Sequence, residues 1–322
     1  MAQFHAMMMY TSVLGWLFLN ISIYNVNKWI FVNYSYNFPI VLTTLHMLAL
    51  FVTQTVIIRF TPLGLAYGEG DDRLKIQPHL KRKIFVLSVA FCISIASGNI
   101  ALKYLYVSFV KMTTATTPVI TVLMSHFIFN FHHNKYVYVS MAPLVMGSLL
   151  CTFGEVNFHL IGFVAAVVST VLRSTKTILQ AILLKEERID SVRLLYHMSL
   201  PSLLILTVCS IIFEHDAFWD TSIFTNYHLW SSILLSCACS VSYNMVNFVV
   251  TYYTSAVTLQ VLNNVGIVLN VVVSVLIFQN EMSLLSTCGL FFTVAGVVMY
   301  ERAGEVSVFM RTRLSKSMGP DD

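Results

Sequence analysis

The stretch STVLRSTKTILQAILL, residues 169–184, sets Arg173 and Lys176 inside an apolar run that begins near Leu160. Ser169, Arg173, Lys176 and Gln180 are spaced i, i+4, i+7, i+11, so a helix places all four on one stripe. The run is long enough to cross a bilayer, and each cation near the centre of such a helix costs roughly 2.5–3.5 kcal/mol on insertion scales. The reading of the whole chain turns on what could offset that cost.

Apolar runs of similar length recur along the sequence, at 9–32, 38–60, 84–105, 107–130, 136–153, 160–184, 195–213, 228–250, 255–278 and 283–301. Of the 322 residues 57% are hydrophobic and 11% charged, with a mean hydropathy of +0.75. A soluble domain carries about 25% charged residues. The chain therefore reads as an all-α polytopic membrane protein of ten transmembrane helices. The first run lacks a basic leading segment and carries Asn20, Tyr24, Asn27 and Lys28, which suits a permanent helix facing a polar interior better than a cleaved signal. No Arg- and Ser-rich presequence points to a plastid or mitochondrion. All six cysteines fall in the predicted spans and read as packing residues.

Basic residues set the orientation. With ten spans, both termini and the 2–3, 4–5, 6–7 and 8–9 connections share one side. That side holds most of the 19 Lys and Arg, from Arg59 through the Lys81-Arg82-Lys83 cluster to Lys316. The positive-inside rule puts it, and both termini, in the cytosol. The net charge of +4 reflects this bias, and nucleic acid is not an expected partner. With Lys103 set on the opposite side, Lys28, Lys111, Arg173 and Lys176 remain, in or at the ends of spans 1, 4 and 6. All fifteen Asp and Glu lie in loops, tails or span ends, so no carboxylate is placed to neutralise the cations. The pattern suits a water-filled cavity that accepts an anionic, phosphorylated solute, which Arg grips bidentately. For Lys28 and Lys111, near span ends, snorkelling or pairing with backbone carbonyls stays open.

The halves of the chain echo each other at an offset of 149, as Tyr104 with Tyr253, Ser125 with Ser274 and Gly147 with Gly296. Polar stripes agree: Lys111, Thr114, Thr121 and Ser125 in span 4 fall on Gln260, Asn263, Asn270 and Ser274 in span 9. Five spans per unit invert the second unit, the architecture of many secondary transporters. Pro118 and Gly266 fall mid-span, where freed backbone is tolerated beside protein or water. The expected organisation is a first five-helix repeat over 1–155, an inverted second over 156–303 and a cytosolic tail over 304–322.

FLNISIYNVNKWIFVNYSYNFPIVLTTLHM resembles the opening of the triose-phosphate-translocator-like branch of the nucleotide-sugar transporters, in solute carrier family 35 of the drug/metabolite transporter superfamily. GNIALKYLYVSFVKMTTATTPVITVLMS resembles its third and fourth spans, the run containing residues 169–184 its sixth, and TSAVTLQVLNNVGIVLNVVVSVLIF its ninth. The resemblance implies the drug/metabolite transporter fold and exchange of a nucleotide sugar for a nucleoside monophosphate, or of a sugar phosphate for inorganic phosphate. It carries Asn27, Lys28, Arg173 and Lys176 over as matching positions. The lysine of span 4 and the Lys-Arg pair of span 9 found in plastid phosphate translocators are replaced by Thr114 and Gly266-Ile267. The Gly, Asn and Lys that Golgi carriers typically keep in span 9 become Asn263, Asn264 and Gly266.

The expectation is thus a Golgi or endoplasmic-reticulum antiporter, a UDP-sugar first among its substrates. Lys28, Arg173 and Lys176 would hold phosphates, with Lys111 standing in for the missing span-9 lysine. Asn27, Gln180, Tyr243, Asn247, Gln260, Asn263 and Asn264 would complete the site. The lipid bilayer is the surrounding partner, a homodimer is the assembly allowed for, and no cofactor or metal is expected. A sugar-phosphate/phosphate exchanger and a transport-inactive regulatory homologue are the alternatives. Export of cationic drugs wants a span carboxylate, and there is none. The His-Glu-x-x-His, paired-aspartate and Gly-x-Ser-x-Gly motifs of intramembrane enzymes and hydrolases are absent.

Overall fold

The computed structural model describes residues 2–60, 77–129, 135–153, 158–219, 226–253, 266–267, 269–270, 272–273, 276–277, 283–296, 298–299 and 302. In order these form α1 (Ala2–Asn33), α2 (Pro39–Phe60), α3 (Pro78–Tyr104), α4 (Val107–Thr114), α5 (Thr117–Phe129), α6 (Lys135–Phe153), α7 (Leu160–Ala181), α8 (Ser191–Phe213) and α9 (Tyr227–Tyr253). A further apolar helix, α10, spans Leu284–Gly296. Among the described residues six helical segments are long and apolar enough to cross a membrane. The chain is a polytopic, helical membrane protein.

Side chains near the helix ends show how the helices run. Glu214, just past α8, accepts from the Ile40 and Val41 amides at 2.9 and 2.8 Å, capping the N-terminus of α2. Burial pushes the Glu214 carboxyl up, while these two amide bonds pull the other way. Lys28 of α1 donates to the Leu102 and Leu105 carbonyls at 2.8 and 2.9 Å, at the C-terminus of α3. Gly162, in the first turn of α7, lies so close to Tyr104 and Leu105 that a Cβ there would come within 2.8 Å of Leu105. The C-termini of α1, α3 and α8 therefore meet the N-termini of α2 and α7 at one end of the bundle. At the other end Lys83 of α3 pairs with Glu187, after α7, and holds that carboxylate below its ordinary range.

The expected span 4 is two helices. Pro118 has no N–H to give the Thr114 carbonyl, and it disfavours helical geometry in the residue before it. The break falls at Ala115 and Thr116, and the Thr117 hydroxyl donates to the Thr114 carbonyl that the proline strands. Threonine side chains are one of the means by which membrane helices satisfy freed backbone groups.

Small residues set the closest approaches, as expected where no hydrophobic force drives helices together. Ser94 of α3 and Ser169 of α7 each donate to the other's carbonyl, at 3.1 and 2.7 Å, and a Cβ on Gly98 would stand 3.1 Å from the Ser169 hydroxyl. A Cβ on Gly147 would meet Thr293 at 2.3 Å, and one on Gly296 would meet the Leu144 amide at 2.6 Å. Gly147 with Gly296 and Leu144 with Thr293 each differ by 149 positions, so the two contacts are copies of one another under that offset.

Candidate functional site

Packing of α7 onto α3 through Ser169 turns the rest of its stripe towards the bundle centre. There Arg173, Lys176 and Gln180 line a cavity of about 110 Å³ walled by α1, α2, α3, α7 and α9. Two apolar clusters reach its wall, one through Leu102 and the other through Phe91. Gln180 is buried, whereas Arg173 and Lys176 are half-buried with their charged ends towards the space.

The two cations are matched by aromatic rings. Arg173 donates through Nη2 to the Tyr24 hydroxyl at 2.6 Å, with its guanidinium 5.9 Å from the ring centroid. The Lys176 ammonium lies 5.1 Å from the ring of Phe91 and 5.4 Å from that of Phe248. Among the described residues every salt bridge lies outside the spans, at Glu187 or between His215 and Asp216. Cation–π contact lowers the cost of a buried charge but leaves its N–H donors available.

Amide groups fill the rest of the wall. Asn27 donates to Asn99 at 3.0 Å, Asn99 donates to the Thr43 hydroxyl at 2.6 Å, and Ser236 donates to the Asn27 oxygen at 2.5 Å. His46 Nε2 lies 2.8 Å from the Ser236 hydroxyl, which fixes Nε2 as the protonated nitrogen if Ser236 donates onward. Asn247 accepts from the Trp16 indole at 3.1 Å, and the Tyr243 hydroxyl accepts from Asn20 at 3.2 Å.

Of the residues expected from the sequence, Asn27, Arg173, Lys176, Gln180, Tyr243 and Asn247 line this one cavity. Lys28 and Lys111 do not. Lys28 is spent on the α3 carbonyls, the backbone pairing that its place near a span end allows. Lys111 is buried behind the wall, donating to Asn20 at 2.8 Å with its ammonium 3.4 Å from the centroid of the Tyr24 ring. Gln260, Asn263 and Asn264 lie outside the described residues. Tyr24, Phe91, Asn99 and His46 also line the cavity and were not among the expected site residues. A signal for the first of them was present: Tyr24 stands 149 positions before Arg173.

That offset recurs in the contacts. Asn20 with Tyr243 is the copy of Ser169 with Ser94, and Asn27 with Asn99 is the copy of Lys176 with Phe248. Tyr24 and Arg173 are copies of one another in direct contact.

The Triose-phosphate Transporter family matches this chain over residues 7–301. The chain belongs to that family. It is similar to UDP-uronic acid transporter 1 of Arabidopsis thaliana, 35% identical over 302 residues that cover 90% of this chain and 93% of the relative. A "Probable sugar phosphate/phosphate translocator" of the same plant is 37% identical, covering 89% and 81%. Solute carrier family 35 member E4 of Rattus norvegicus is 33% identical, covering 94% and 82%. One solved crystal structure superposes with a TM-score of 0.60 at 15% identity, over 97% of this chain and 99% of that one, and so shares the fold. The family and these relatives are transporters, not enzymes, and this Triose-phosphate Transporter family member is a solute transporter.

Proposed function

We propose that the protein is a secondary antiporter that exchanges a nucleotide sugar, a UDP-sugar first, for a nucleoside monophosphate across the Golgi or endoplasmic-reticulum membrane. The observation that carries this reading is the Arg173–Lys176 pair, open to a central cavity with no carboxylate against it among the described residues. Two adjacent cations suit a diphosphate, and the amides of Asn27, Asn99, Asn244 and Asn247 suit a sugar and a base.

Ten spans in two inverted units, 1–155 and 156–303, would supply the motion, one unit rocking against the other about the bound solute. Support comes from the contacts copied at offset 149 and from Tyr24 touching Arg173. The basic end of the bundle, with Lys81, Arg82, Lys83 and Arg188, would face the cytosol along with both termini.

Size favours a second reading. An apolar cavity of about 150 Å³ holds benzene. This one, at about 110 Å³, takes an inorganic phosphate, whereas a sugar phosphate needs the halves to part and a nucleotide sugar needs them to part further. Exchange of a sugar phosphate for inorganic phosphate is the alternative that asks for the smaller opening.

Uptake of labelled UDP-sugars into proteoliposomes, with and without internal UMP, decides between them. Uptake that requires internal UMP and vanishes in Lys176→Ala supports nucleotide-sugar exchange at this site. Uptake of a sugar phosphate against internal phosphate alone promotes the second reading. A folded wild type that moves no anion refutes both and marks a transport-inactive homologue.

A further inference from the structure

Both cavity cations sit on α7, in the second half of the chain, and each is matched by an aromatic side chain of the first half. Arg173 is bound to Tyr24 of α1, and Lys176 rests against Phe91 of α3 as well as Phe248 of its own half. Tyr24 is held from behind. The Lys111 ammonium lies 3.4 Å from its ring centroid, and Asn20 fixes that ammonium at 2.8 Å while also accepting from Asn270 at 3.0 Å. These contacts oppose any movement of the ring with Arg173 when the guanidinium turns towards a ligand.

A π face and a single phenol oxygen are weak partners for such charges. Phosphate oxygens accept short, charge-assisted and, from arginine, paired hydrogen bonds. An anion entering the cavity would compete for the groups that join α7 to α1 and α3, with the stronger hydrogen bonds on its side. Without the anion those groups meet at the centre, where Tyr24 contacts its own 149-related position.

We propose that Tyr24 and Phe91 are positioning residues that stand in for the substrate phosphate in the empty carrier, so that the halves are released only when an anion occupies Arg173 and Lys176. This rests on the anion-exchange reading above and adds to it the reason for exchange: a central latch that an empty carrier cannot open. The cavity binds the anion without these rings, but without them the empty form is free to reorient.

The test uses the full chain in proteoliposomes loaded with labelled UMP or labelled inorganic phosphate. Release is followed with and without the same anion outside, alongside wild type, Tyr24→Phe, Phe91→Leu and Phe91→Tyr. Tyr24→Phe removes the hydroxyl and keeps the ring, whereas Phe91→Tyr keeps a ring where Phe91→Leu does not. The expected result is that the ratio of release without to release with the external anion rises about fivefold in Tyr24→Phe and Phe91→Leu, the factor that one lost cation–π or hydrogen-bond contact corresponds to. It stays at the wild-type value in Phe91→Tyr.

Variants that exchange with the wild-type ratio overturn the latch and leave anion exchange standing. A Phe91→Leu protein that does not fold leaves Tyr24→Phe to decide, since that change preserves the ring against Lys111. A folded wild type whose thermal unfolding is unmoved by UMP and by phosphate, and which releases neither, overturns the anion reading itself and the latch with it.

Discussion

Lys28 separates two accounts of a buried cation, and substitution by methionine tells them apart. The side chain is 6% exposed, and its ammonium donates to the Leu102 and Leu105 carbonyls at 2.8 and 2.9 Å. α3 ends at Tyr104, so both carbonyls lie at its C-terminus, where backbone acceptors lack helical partners. Lys28→Met keeps the stem and removes the charge. Two hydrogen bonds to a charged group are together worth roughly 3–6 kcal/mol. Relief of the cost of placing an ammonium in a membrane helix returns at most roughly 2.5–3.5 kcal/mol, the value for a helix centre. The mid-range difference leaves a destabilisation of at least about 1.5 kcal/mol. With an unfolding entropy of about 2.1 cal/mol/K per residue, that lowers Tm by about 2 °C or more for a chain of 322 residues. The assay is thermal unfolding of the purified protein, with and without UMP or inorganic phosphate. The expected result is a lower Tm with the anion-induced rise intact. A variant with wild-type Tm that no longer responds to the anion would refute the capping account and return Lys28 to the binding site.

Four further tests probe other parts of the molecule. Arg173→Lys loses the paired donors of the guanidinium and should weaken phosphate binding by about 10- to 100-fold in a titration, whereas an unchanged affinity would mean the fork is not used. Thr117→Val strands the Thr114 carbonyl and should cost about 1–2 kcal/mol, and adding Pro118→Ala, which restores an N–H donor, should remove most of that cost in a double-mutant cycle. Gly147→Ala and Gly296→Ala each push a Cβ into the opposing helix at 2.3 and 2.6 Å, so each should cost about 1–3 kcal/mol in thermal unfolding, by matching amounts if the two contacts are copies. Glu187 is held below its ordinary value of 4.5 by Lys83, so its share of stability is present above that value and lost as pH falls through the lower folded value; Glu187→Gln should flatten the acid limb of a Tm–pH profile.

The helical, membrane-spanning character of the chain was legible because it rests on length and composition alone. Six of the cavity residues were legible because a charge or amide inside an apolar run is costly unless a polar partner or solvent meets it. Lys28 and Lys111 were not separable from Arg173 and Lys176 by that logic. All four are cations without a carboxylate, and only the three-dimensional position of the α3 carbonyls and of Asn20 distinguishes a cap or a buried prop from a ligand. Phe91 was illegible for the opposite reason. A phenylalanine in an apolar span carries no signal until a lysine is seen against it. The break at Ala115 and Thr116 was half legible: Pro118 predicts a disturbance, but the hydroxyl that repairs it is a local contact.

The offset of 149 also says something about chemistry that neither half does alone. At the closest packing contact the equivalent glycines, Gly147 and Gly296, are alike. Along the cavity they differ: Tyr24 against Arg173, Asn27 against Lys176, Asn99 against Phe248, Ser240 against Phe91. The lining cations therefore come from the second half, which also supplies the amides of Gln180, Asn244 and Asn247, whereas the polar residues Asn27, Asn99 and His46 of the first half are neutral, His46 reaching Asn27 through Ser236 of the second. A tetrahedral phosphate presents the same face in every direction and makes no use of such a division. A solute charged at one end and rich in hydroxyls or amides at the other does use it, binding with its phosphates beside Arg173 and Lys176 and its neutral part beside Asn27 and Asn99. The small volume of the cavity argues for a small solute, but volume changes when helices part and the chemical asymmetry of the lining does not. On that ground the proposed exchange of a phosphorylated sugar or nucleotide sugar fits the lining better than exchange of inorganic phosphate alone.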